Sequence, residues 1–398
     1  MQTLHQSPTD PTFVQNPYAF YDRARATGPL FHWADYDLPM AVSYAAASQI
    51  LRDRRFGREQ PPETRKPIPA HLAPFYAVEA HSMLELEPPR HTRLRGLVLR
   101  AFTSRRINAL APEIAALTHQ LIDELPDGPF DLMPTFAQKL PVIIIARLLG
   151  VPESMAPELL RWSNAMVQMY IAGRSRDTED KAIAATNAFT AYLGAYIAER
   201  RAKPADDLIT HLIAAETEGE KLTTDELITT CILLLNAGHE ATVHTIGNGV
   251  KTLLETATPL AALAPATLAP DAIDATIEEI LRFDPPLHLF TRYCYEPTEV
   301  MGHIFQPGSQ VGCLLAAAGR DPDTFAEPHR FNPARPQKPN IAFGGGLHFC
   351  VGAPLARLEL AVSLPILFAR LPGLKIAAPP SYRNVYHFHG LDSLLLHR

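Results

Sequence analysis

The stretch Phe343-Gly344-Gly345-Gly346-Leu347-His348-Phe349-Cys350-Val351-Gly352 places one cysteine in a glycine-rich loop. The next ten residues, 353–362, have a proline in second place and apolar residues at helical spacing, which predicts a helix beginning just after Cys350. Unpaired N–H groups and the positive end of the helix dipole favour a thiolate at such a place. Because a thiolate is a nucleophile or a metal ligand, the loop predicts a chemically active cysteine.

The neighbours of Cys350 narrow this chemistry. The glycines on both sides allow backbone to pass close to a flat ligand. An acyl-transfer cysteine needs a base, and His348 is only two residues away. Zinc and iron–sulfur sites lack partners, because no Cys-x-x-Cys pair or second soft ligand accompanies this cysteine in the sequence. One thiolate alone suits the axial position of haem.

The pattern Phe-Gly-x-Gly-x-His-x-Cys-x-Gly at 343–352 resembles the haem-binding signature of the cytochrome P450 haem-thiolate monooxygenases and matches it at every fixed position. The resemblance implies that Cys350 is the proximal iron ligand of haem b. It also implies that Phe343, Gly344 and His348 bind the haem. The alternative is a buried structural cysteine in a Gly-rich turn, which predicts nothing elsewhere in the chain.

Composition bounds the class of protein. With 398 residues, 47% of them hydrophobic, the chain can bury a sizeable core, and a net charge of −6 argues against a general nucleic-acid binder. Four sparse cysteines indicate a reducing compartment without a disulfide framework. The first 13 residues carry no apolar run of signal or anchor length, so we expect a cytoplasmic protein that does not bind membranes. Scattered prolines and the lack of a linker predict one domain, 1–398.

A strongly basic run occupies 90–106, with six arginines and no acid. Such a run is ordinarily a solvated face. His91 and Arg95 are four apart on one predicted helix face, where both can reach one anion. By the resemblance they match the family's haem-propionate ligands, and Arg292 matches a further one. The other arginines would then offer a basic surface to an acidic electron donor.

A long helix is predicted from the capping box at Thr223 and Glu226 to about Leu254, roughly 45 Å at 1.5 Å per residue. Its middle, 236–242, places small residues and an acid in an apolar helix. Since a buried acid is costly unless paired, this predicts a ligand-facing segment. His239-Glu240 followed by His244 resembles a zinc-protease pattern, but histidines five apart lie about 140° around the helix, which argues against zinc hydrolysis.

The resemblance gives the middle of this helix a part in proton delivery. Glu240 would help to deliver protons. Ala241 departs from the family, which usually has threonine there, and Thr242 is turned about 100° around the helix and cannot simply take over. Proton delivery by a substrate hydroxyl or an ordered water, or the use of peroxide in place of O₂, therefore stays open.

Glu279 and Arg282 resemble the second family signature, Glu-x-x-Arg, whose third member we assign to Arg330. A buried, fully paired network of these three would hold the loop that leads to the cysteine.

Local patterns predict further elements: a hairpin within 29–44, an irregular loop over 60–82, a glycine cap at Gly150 and paired helices at about 153–171 and 179–202. In those helices Trp162, Met166 and Met169 are expected to pack in the core, whereas His387 and His389 are expected at the surface.

Three signatures in family order cover the chain from about 29 to 396. We therefore expect a mainly α fold with small β-sheets, the cytochrome P450 fold, with its long central helix over haem. The resemblance implies a monomeric monooxygenase that oxidises a small, largely apolar organic substrate with O₂. Its electrons would come from a separate ferredoxin and ferredoxin reductase. A peroxide-driven peroxygenase and a non-enzymatic haem sensor or electron carrier are the alternatives.

Overall fold

The computed structural model describes residues 1–171, 174–217, 219–256, 270–336, 338–386 and 388–398. Two compact units divide the chain: unit 1 comprises Met1–Gly57, Ile114–Ala137 and Ala241–Arg398, and unit 2 comprises Arg58–Glu113 and Gln138–Glu240. A single domain over 1–398 stays a prediction.

Helices dominate both units, as predicted. The α-helices of the described residues are α1 (Pro11–Gln15), α2 (Tyr18–Arg25), α3 (Tyr44–Arg52), α4 (Ala73–Glu79), α5 (Arg90–Ala101), α6 (Ser104–Asn108), α7 (Ala111–Asp123), α8 (Lys139–Leu149), α9 (Ala156–Val167), α10 (Arg176–Ala202), α11 (Leu208–Ala214), α12 (Thr224–Glu255), α13 (Pro270–Phe283), α14 (Leu315–Gly319) and α15 (Ala353–Arg370). Among the residues that the structure describes, none of the helices is both long and apolar enough to cross a membrane.

Short strands form small sheets. They are β1 (Gln2–Leu4), β2 (Leu30–Trp33), β3 (Leu38–Ala41), β4 (Phe56–Gly57), β5 (Phe130–Asp131), β6 (Glu216–Thr217), β7 (Glu220–Lys221), β8 (Leu289–Cys294), β9 (Thr298–Val300), β10 (His303–Phe305), β11 (Gln310–Leu314), β12 (Lys375–Ile376), β13 (Ser381–Tyr382), β14 (Leu391–Ser393) and β15 (Leu395–His397). The predicted mainly α fold with small sheets is confirmed.

The largest sheet lies in unit 1 and has the strand order β1-β2-β3-β11-β8-β4. Strands β2 and β3 form the hairpin predicted within 29–44, with Trp33 opposite Leu38. The Trp33 ring is fully buried and packs edge-on against Phe13 at 5.7 Å. At the other side of the sheet, β8 pairs antiparallel with β11, and this register fixes the backbone of Arg292 opposite Val311.

In unit 2, α8 ends at Gly150, whose φ of +83° is the left-handed cap that the sequence predicts. Helices α9 and α10 are the predicted pair, with a 3₁₀ turn at Gln168–Tyr170 between them. Trp162 is buried and its ring packs against Phe189 at 5.2 Å. Met166 and Met169 are buried as well, in agreement with the predicted packing.

The predicted irregular loop over 60–82 is wrong, because this segment contains helix α4 and two 3₁₀ turns, Pro62–Thr64 and Ala70–Leu72. Pro74 lies in the first turn of α4, where a proline is favoured because its missing N–H has no intrahelical acceptor. Phe75 and Val78, three residues apart, are buried on one face of the helix. In a segment rich in proline, such a short apolar face shows no clear helical periodicity in the sequence.

The long helix α12 begins with the predicted capping box. The Thr223 N–H donates to Glu226 Oε2 at 2.9 Å, and the Glu226 N–H donates to Thr223 Oγ1 at 3.2 Å. These bonds satisfy N–H groups that the first turn of a helix leaves without partners. The helix ends at Glu255, one residue beyond the prediction, and the boundary between the units falls within it, after Glu240.

Candidate functional site

The loop before Cys350 requires glycine for two different reasons. Gly344 and Gly346 have φ values of +73° and +66°, in the left-handed region that favours glycine. A Cβ on Gly346 would come within 2.3 Å of the Leu51 carbonyl oxygen. A Cβ on Gly344 would lie 3.2 Å from the Phe290 ring. A side chain at Gly346 would therefore clash with backbone, whereas at Gly344 the positive φ is the main reason for glycine, because the Phe290 ring would have to move by only a few tenths of an ångström.

Cys350 lies between this loop and α15. Its N–H donates to the Phe343 carbonyl at 3.1 Å and closes the loop. Helix α15 begins at Ala353 with Pro354 in its first turn, as the sequence predicts. A Cβ on Gly352 would lie 3.8 Å from the Cys350 Sγ, at ordinary van der Waals distance, so Gly352 is next to the sulfur. The cysteine is thus presented by a tight loop at the start of a helix.

The other cysteines lie in surroundings that disfavour a thiolate. Cys231, Cys294 and Cys313 are fully buried, whereas Cys350 is half-buried. Burial raises the pKa of the Cys231 and Cys313 thiols to about 12 and also raises the pKa of Cys294. These three therefore stay protonated at neutral pH. Cys350 is the cysteine whose position suits a thiolate ligand.

Phe343 is held by a contact that sequence reasoning missed. The Arg357 guanidinium lies over the Phe343 ring at 4.6 Å from its centroid. The same guanidinium donates from Nη2 to Glu278 Oε2 at 3.2 Å, and Glu278 belongs to α13. This arrangement ties the cysteine loop to α13. In the sequence, this contact could have been suspected only from the position of Arg357, one turn into the helix that follows the cysteine.

Arg292, the further predicted propionate ligand, lies on β8 in unit 1 and is 2% exposed. Its Nη1 donates to the Thr291 carbonyl at 2.8 Å. Leu289 and Phe290, on the same strand, are half-buried. His348 lies in the 3₁₀ turn Gly346–His348 just before the cysteine. The glycine loop, the Phe290 and Phe343 rings and a buried arginine fit a flat, anionic group such as haem.

His91 and Arg95 both lie on helix α5 in unit 2, and the prediction that they share one helix is confirmed. Their spacing of four residues puts them on one face of that helix. His91 is buried and Arg95 is half-buried. Their role as propionate ligands stays a prediction.

The basic run is partly committed to ion pairs inside unit 2. Arg93 binds the buried carboxylate of Glu226 and lies 3.2 Å from Glu220. Arg106 lies 3.7 Å from Asp206. Arg100 and Arg105 are exposed. An electron donor would therefore meet these last two arginines more readily than Arg93.

Glu240 in α12 is 7% exposed, and its Oε2 lies 3.3 Å from Nε2 of the fully buried His239. Nδ1 of His239 lies 3.0 Å from the Leu235 carbonyl, which can only accept, so Nδ1 carries a proton. The contact between Nε2 and Oε2 is then a hydrogen bond only if one of these two atoms also carries a proton. Nε2 of His239 forms no hydrogen bond among the described residues, although it lies beside the Glu240 carboxyl, a neighbour that the sequence did not predict.

Ala241 and Thr242 follow in unit 1. Thr242 is 4% exposed. One turn later, Thr245 donates from Oγ1 to the Ala241 carbonyl at 2.7 Å. This back-bond supplies a second donor to a carbonyl within the segment that we predicted to face a ligand. A hydroxyl is thus bonded to the backbone of Ala241 although position 241 itself has none.

The predicted charge network requires a correction. Glu279 receives Arg282 Nε at 2.7 Å, Arg335 Nε at 2.9 Å and the Asn332 N–H at 2.8 Å. Arg330, the predicted third member, has a side chain that is 66% exposed and pairs with Glu327 at 3.2 Å. It contributes only its carbonyl, which accepts from Arg335 Nη2 at 2.8 Å. The chain turns after Arg330, and this turn brings Arg335 back to the buried carboxylate.

The predicted surface exposure of His389 is also wrong. His389 is 4% exposed, and its ring stacks on Tyr382 at 3.9 Å with an angle of 13° between the planes. The backbone N–H of His389 donates to the Pro286 carbonyl at 2.7 Å. His387, the other histidine of that prediction, lies outside the described residues.

Comparison with known proteins places this arrangement in a wider context. The family model described as "Cytochrome P450" matches residues 11–258 and 272–371. The cytochrome P450 monooxygenase PikC of Streptomyces venezuelae is 37% identical over 377 residues, 92% of this chain and 87% of that protein. The vitamin D(3) 25-hydroxylase of Pseudonocardia autotrophica is 38% identical over 375 residues, 92% of this chain and 89% of that protein.

A solved structure is also similar to this chain over nearly its whole length. The crystal structure of P450BioI in complex with hexadec-9Z-enoic acid ligated acyl carrier protein matches with a TM-score of 0.90 and 33% identity. The match covers 97% of this chain and 99% of that one. Both the backbone and the sequence are therefore similar to those of these haem enzymes over nearly their whole length.

Proposed function

Because this chain belongs to the cytochrome P450 family of oxidoreductases, we propose that it inserts one oxygen atom of O₂ into a small, largely apolar organic substrate. The observation that carries the proposal is the presentation of Cys350, half-buried at the start of α15 behind a loop closed by its own N–H. Thiolate-bound haem iron supplies O₂ activation in this family, since the sulfur donates electron density that favours O–O cleavage.

We propose that haem b would be held by the thiolate of Cys350. In unit 1 the group would be held by Arg292, Phe343, Gly344 and His348, and in unit 2 by His91 and Arg95. Arginines are suited to this task because a guanidinium forms paired hydrogen bonds with a carboxylate such as a propionate. The burial of Arg292 strengthens such a bond, because water screens it less.

Proton delivery is assigned to Glu240, Ala241 and Thr242. The Glu240 carboxyl lies 3.3 Å from His239 Nε2, which places an imidazole beside it in a buried segment. Ala241 supplies no hydroxyl, so a substrate hydroxyl or an ordered water has to complete the path. The same absence is the observation that favours the second candidate function, a peroxide-driven peroxygenase, in which that path is not needed.

The remaining parts of the proposal concern partners. We propose that electrons come from a separate ferredoxin and its reductase, and that the enzyme works as a monomer in the cytoplasm. An apolar substrate agrees with two similar proteins, a vitamin D(3) 25-hydroxylase and a P450 bound to an acyl carrier protein that bears a hexadecenoic acid.

The experiment begins with the ferrous–CO spectrum, which should show the red-shifted Soret band of a thiolate ligand. Cys350→Ala should abolish that band, whereas Cys231→Ala, at a buried cysteine of high pKa, should keep it. A Cys350→Ala protein that keeps the band contradicts the assignment.

Activity then separates the candidate functions. A panel of apolar compounds should shift the haem spectrum, and a bound compound should be oxidised with ferredoxin, reductase and O₂. Oxidation with peroxide alone would favour the peroxygenase. Binding without oxidation by either route would instead indicate a sensor or an electron carrier.

A further inference from the structure

Asp284, His288 and His389 form a buried cluster of potential metal ligands in unit 1. One ligand atom from each lies within 4.8 Å of those of the other two. The three residues are 4%, 0% and 4% exposed. Asp284 directly follows α13, His288 directly precedes β8 and His389 lies two residues before β14. Nothing in the proposed oxidation chemistry uses these side chains, so the cluster needs a separate explanation.

His288 presents a nitrogen that is suited to a ligand. Its Nδ1 lies 2.8 Å from the Tyr21 hydroxyl, which in turn lies 2.7 Å from the Tyr386 hydroxyl. Its Nε2 is buried and has no hydrogen-bond partner among the described residues. Leaving a buried polar atom unsatisfied costs about 1–3 kcal/mol. If Nδ1–H donates to Tyr21, then Nε2 carries the lone pair that a metal ion requires.

Neighbouring groups orient the other two side chains. The Tyr18 hydroxyl donates to Asp284 Oδ1 at 2.7 Å, and the Tyr382 hydroxyl donates to Oδ2 at 2.5 Å. The Tyr382 ring also stacks on His389. Asn248 donates from Nδ2 to the carbonyls of Asp284 and His389, at 3.2 and 3.0 Å, and so joins their two backbone segments. Metal ligands are characteristically held by such an outer layer of hydrogen bonds.

Two positively charged side chains near the cluster oppose the binding of a metal ion. Asp284 supplies the carboxylate of the cluster, and His288 and His389 supply its two imidazoles. Arg320, whose guanidinium lies 3.4 Å from the Tyr18 ring centroid, and Lys251, 5.5 Å from the Tyr382 ring centroid, are nearby cations that weaken the binding of a metal ion.

We propose that Asp284, His288 and His389 bind a zinc ion. Two imidazole nitrogens and one carboxylate oxygen are a usual ligand set for zinc, and water can occupy the fourth position. Tetrahedral ligands at about 2.0 Å from the metal lie about 3.3 Å apart. Asp284 Oδ1 and His389 Nε2 are 3.7 Å apart, and the ligand atoms of all three residues lie within 4.8 Å of one another, so the side chains have to move closer together to reach this geometry. The ion would join the segments after α13, before β8 and before β14.

The test uses the full-length, haem-loaded protein. After EDTA treatment and gel filtration, it is equilibrated with zinc chloride at buffered micromolar free zinc. Zinc and iron are then counted by mass spectrometry, and the ligands are identified by X-ray absorption at the zinc edge, where iron does not interfere. We expect about one zinc ion per haem, with two imidazoles and one carboxylate among its ligands.

Variants locate the ion. His288→Gln and His389→Gln should each weaken zinc binding at least tenfold. His329→Gln is the matched control, because His329 is a half-exposed histidine that also lies beside a carboxylate, 3.3 Å from Asp22. Tyr21→Phe, which removes the hydroxyl that bonds both His288 Nδ1 and the Tyr386 hydroxyl, should weaken binding by roughly 10- to 100-fold.

Three results would overturn the proposal. The first is no zinc above the level of an EDTA-treated control in the wild type. The second is a zinc spectrum without two imidazoles. The third is unchanged affinity in the variants that load haem. The wild-type measurements decide the matter even if a histidine variant fails to fold. If the wild type binds no zinc, the cluster is a buried pair of Asp284 and His389 within a tyrosine network.

Discussion

Arg335 donates from Nε to Oε2 of Glu279 at 2.9 Å, although 56 residues separate the two in sequence. The carboxylate is 2% exposed and also receives Arg282 and the Asn332 N–H. A charge buried this deeply is stable only while its partners stay in place. This pair therefore ties the segment after β11 to α13, and α13 in turn reaches the cysteine loop through Glu278 and Arg357.

We predict that Arg335→Ala destabilises the protein by about 3–5 kcal/mol, because it leaves Glu279 buried with one cation fewer. Haem loading should fall with it. Arg330→Ala is the matched control and should change stability by no more than about 0.5 kcal/mol, because that side chain is two-thirds exposed. Urea unfolding and the ratio of haem to protein measure both effects. Equal losses in the two variants would contradict the network described here.

A second prediction concerns pH. Burial raises the pKa of Glu359 on α15 to about 8, from 4.5, so the folded protein holds a proton there that the unfolded chain releases. The corresponding stability is fully present below about pH 4.5 and is lost as the pH rises to about 8. Glu359→Gln removes this dependence, because the amide does not titrate.

The measurement is urea unfolding of wild type and Glu359→Gln at several pH values. Between about pH 6 and about pH 8, the wild type should lose roughly 2–3 kcal/mol more stability than the variant. Glu113→Gln, at an exposed position, controls for the loss of one carboxylate. Parallel pH profiles for wild type and Glu359→Gln would show that this carboxyl does not take up a proton on folding.

The sequence predicted the features whose causes are local. The capping box at Thr223 and the left-handed cap at Gly150 each depend on residues within one helical turn. Cys350 could likewise be placed before a helix, because Pro354 marks the first turn.

Features that depend on distant contacts could not be predicted. The burial of His389 comes from Tyr382 and from the cluster around Asp284, more than 100 residues earlier in the chain. The choice of Arg335 over Arg330 depends on a turn whose direction no short pattern reveals. The ion pairs of Arg93 with Glu226 and Glu220 similarly join segments that no pattern in the sequence connects.

A third prediction follows from those ion pairs. Arg100→Glu with Arg105→Glu should slow reduction by an acidic ferredoxin by roughly 3- to 10-fold at low salt and flatten its salt dependence. Both residues are exposed, and substrate-binding spectra should not change. Arg93 is left intact because its loss would strand the buried carboxylate of Glu226. Stopped-flow reduction at several salt concentrations measures the effect, and unchanged rates would show that these arginines form only a solvated face.

The last prediction concerns Ala241, where the family usually carries a threonine whose hydroxyl serves proton delivery. Ala241→Thr should change the fraction of electrons that end in product by roughly two- to tenfold. With a substrate that has no hydroxyl, the fraction should rise, because the new side chain supplies the missing proton donor. With a substrate or a held water already in that place, the fraction should fall, because the side chain displaces it.

Ala241→Val separates the two effects, because valine has the shape of threonine without its hydroxyl. A rise with threonine and not with valine identifies proton donation, whereas an equal fall in both identifies displacement. Thr245, which donates to the Ala241 carbonyl at 2.7 Å, stays unchanged in all three proteins, so the backbone there keeps its donor. Product and peroxide are both counted against the electrons consumed. If wild type and both variants give the same product and peroxide yields, position 241 lies outside the path that delivers protons.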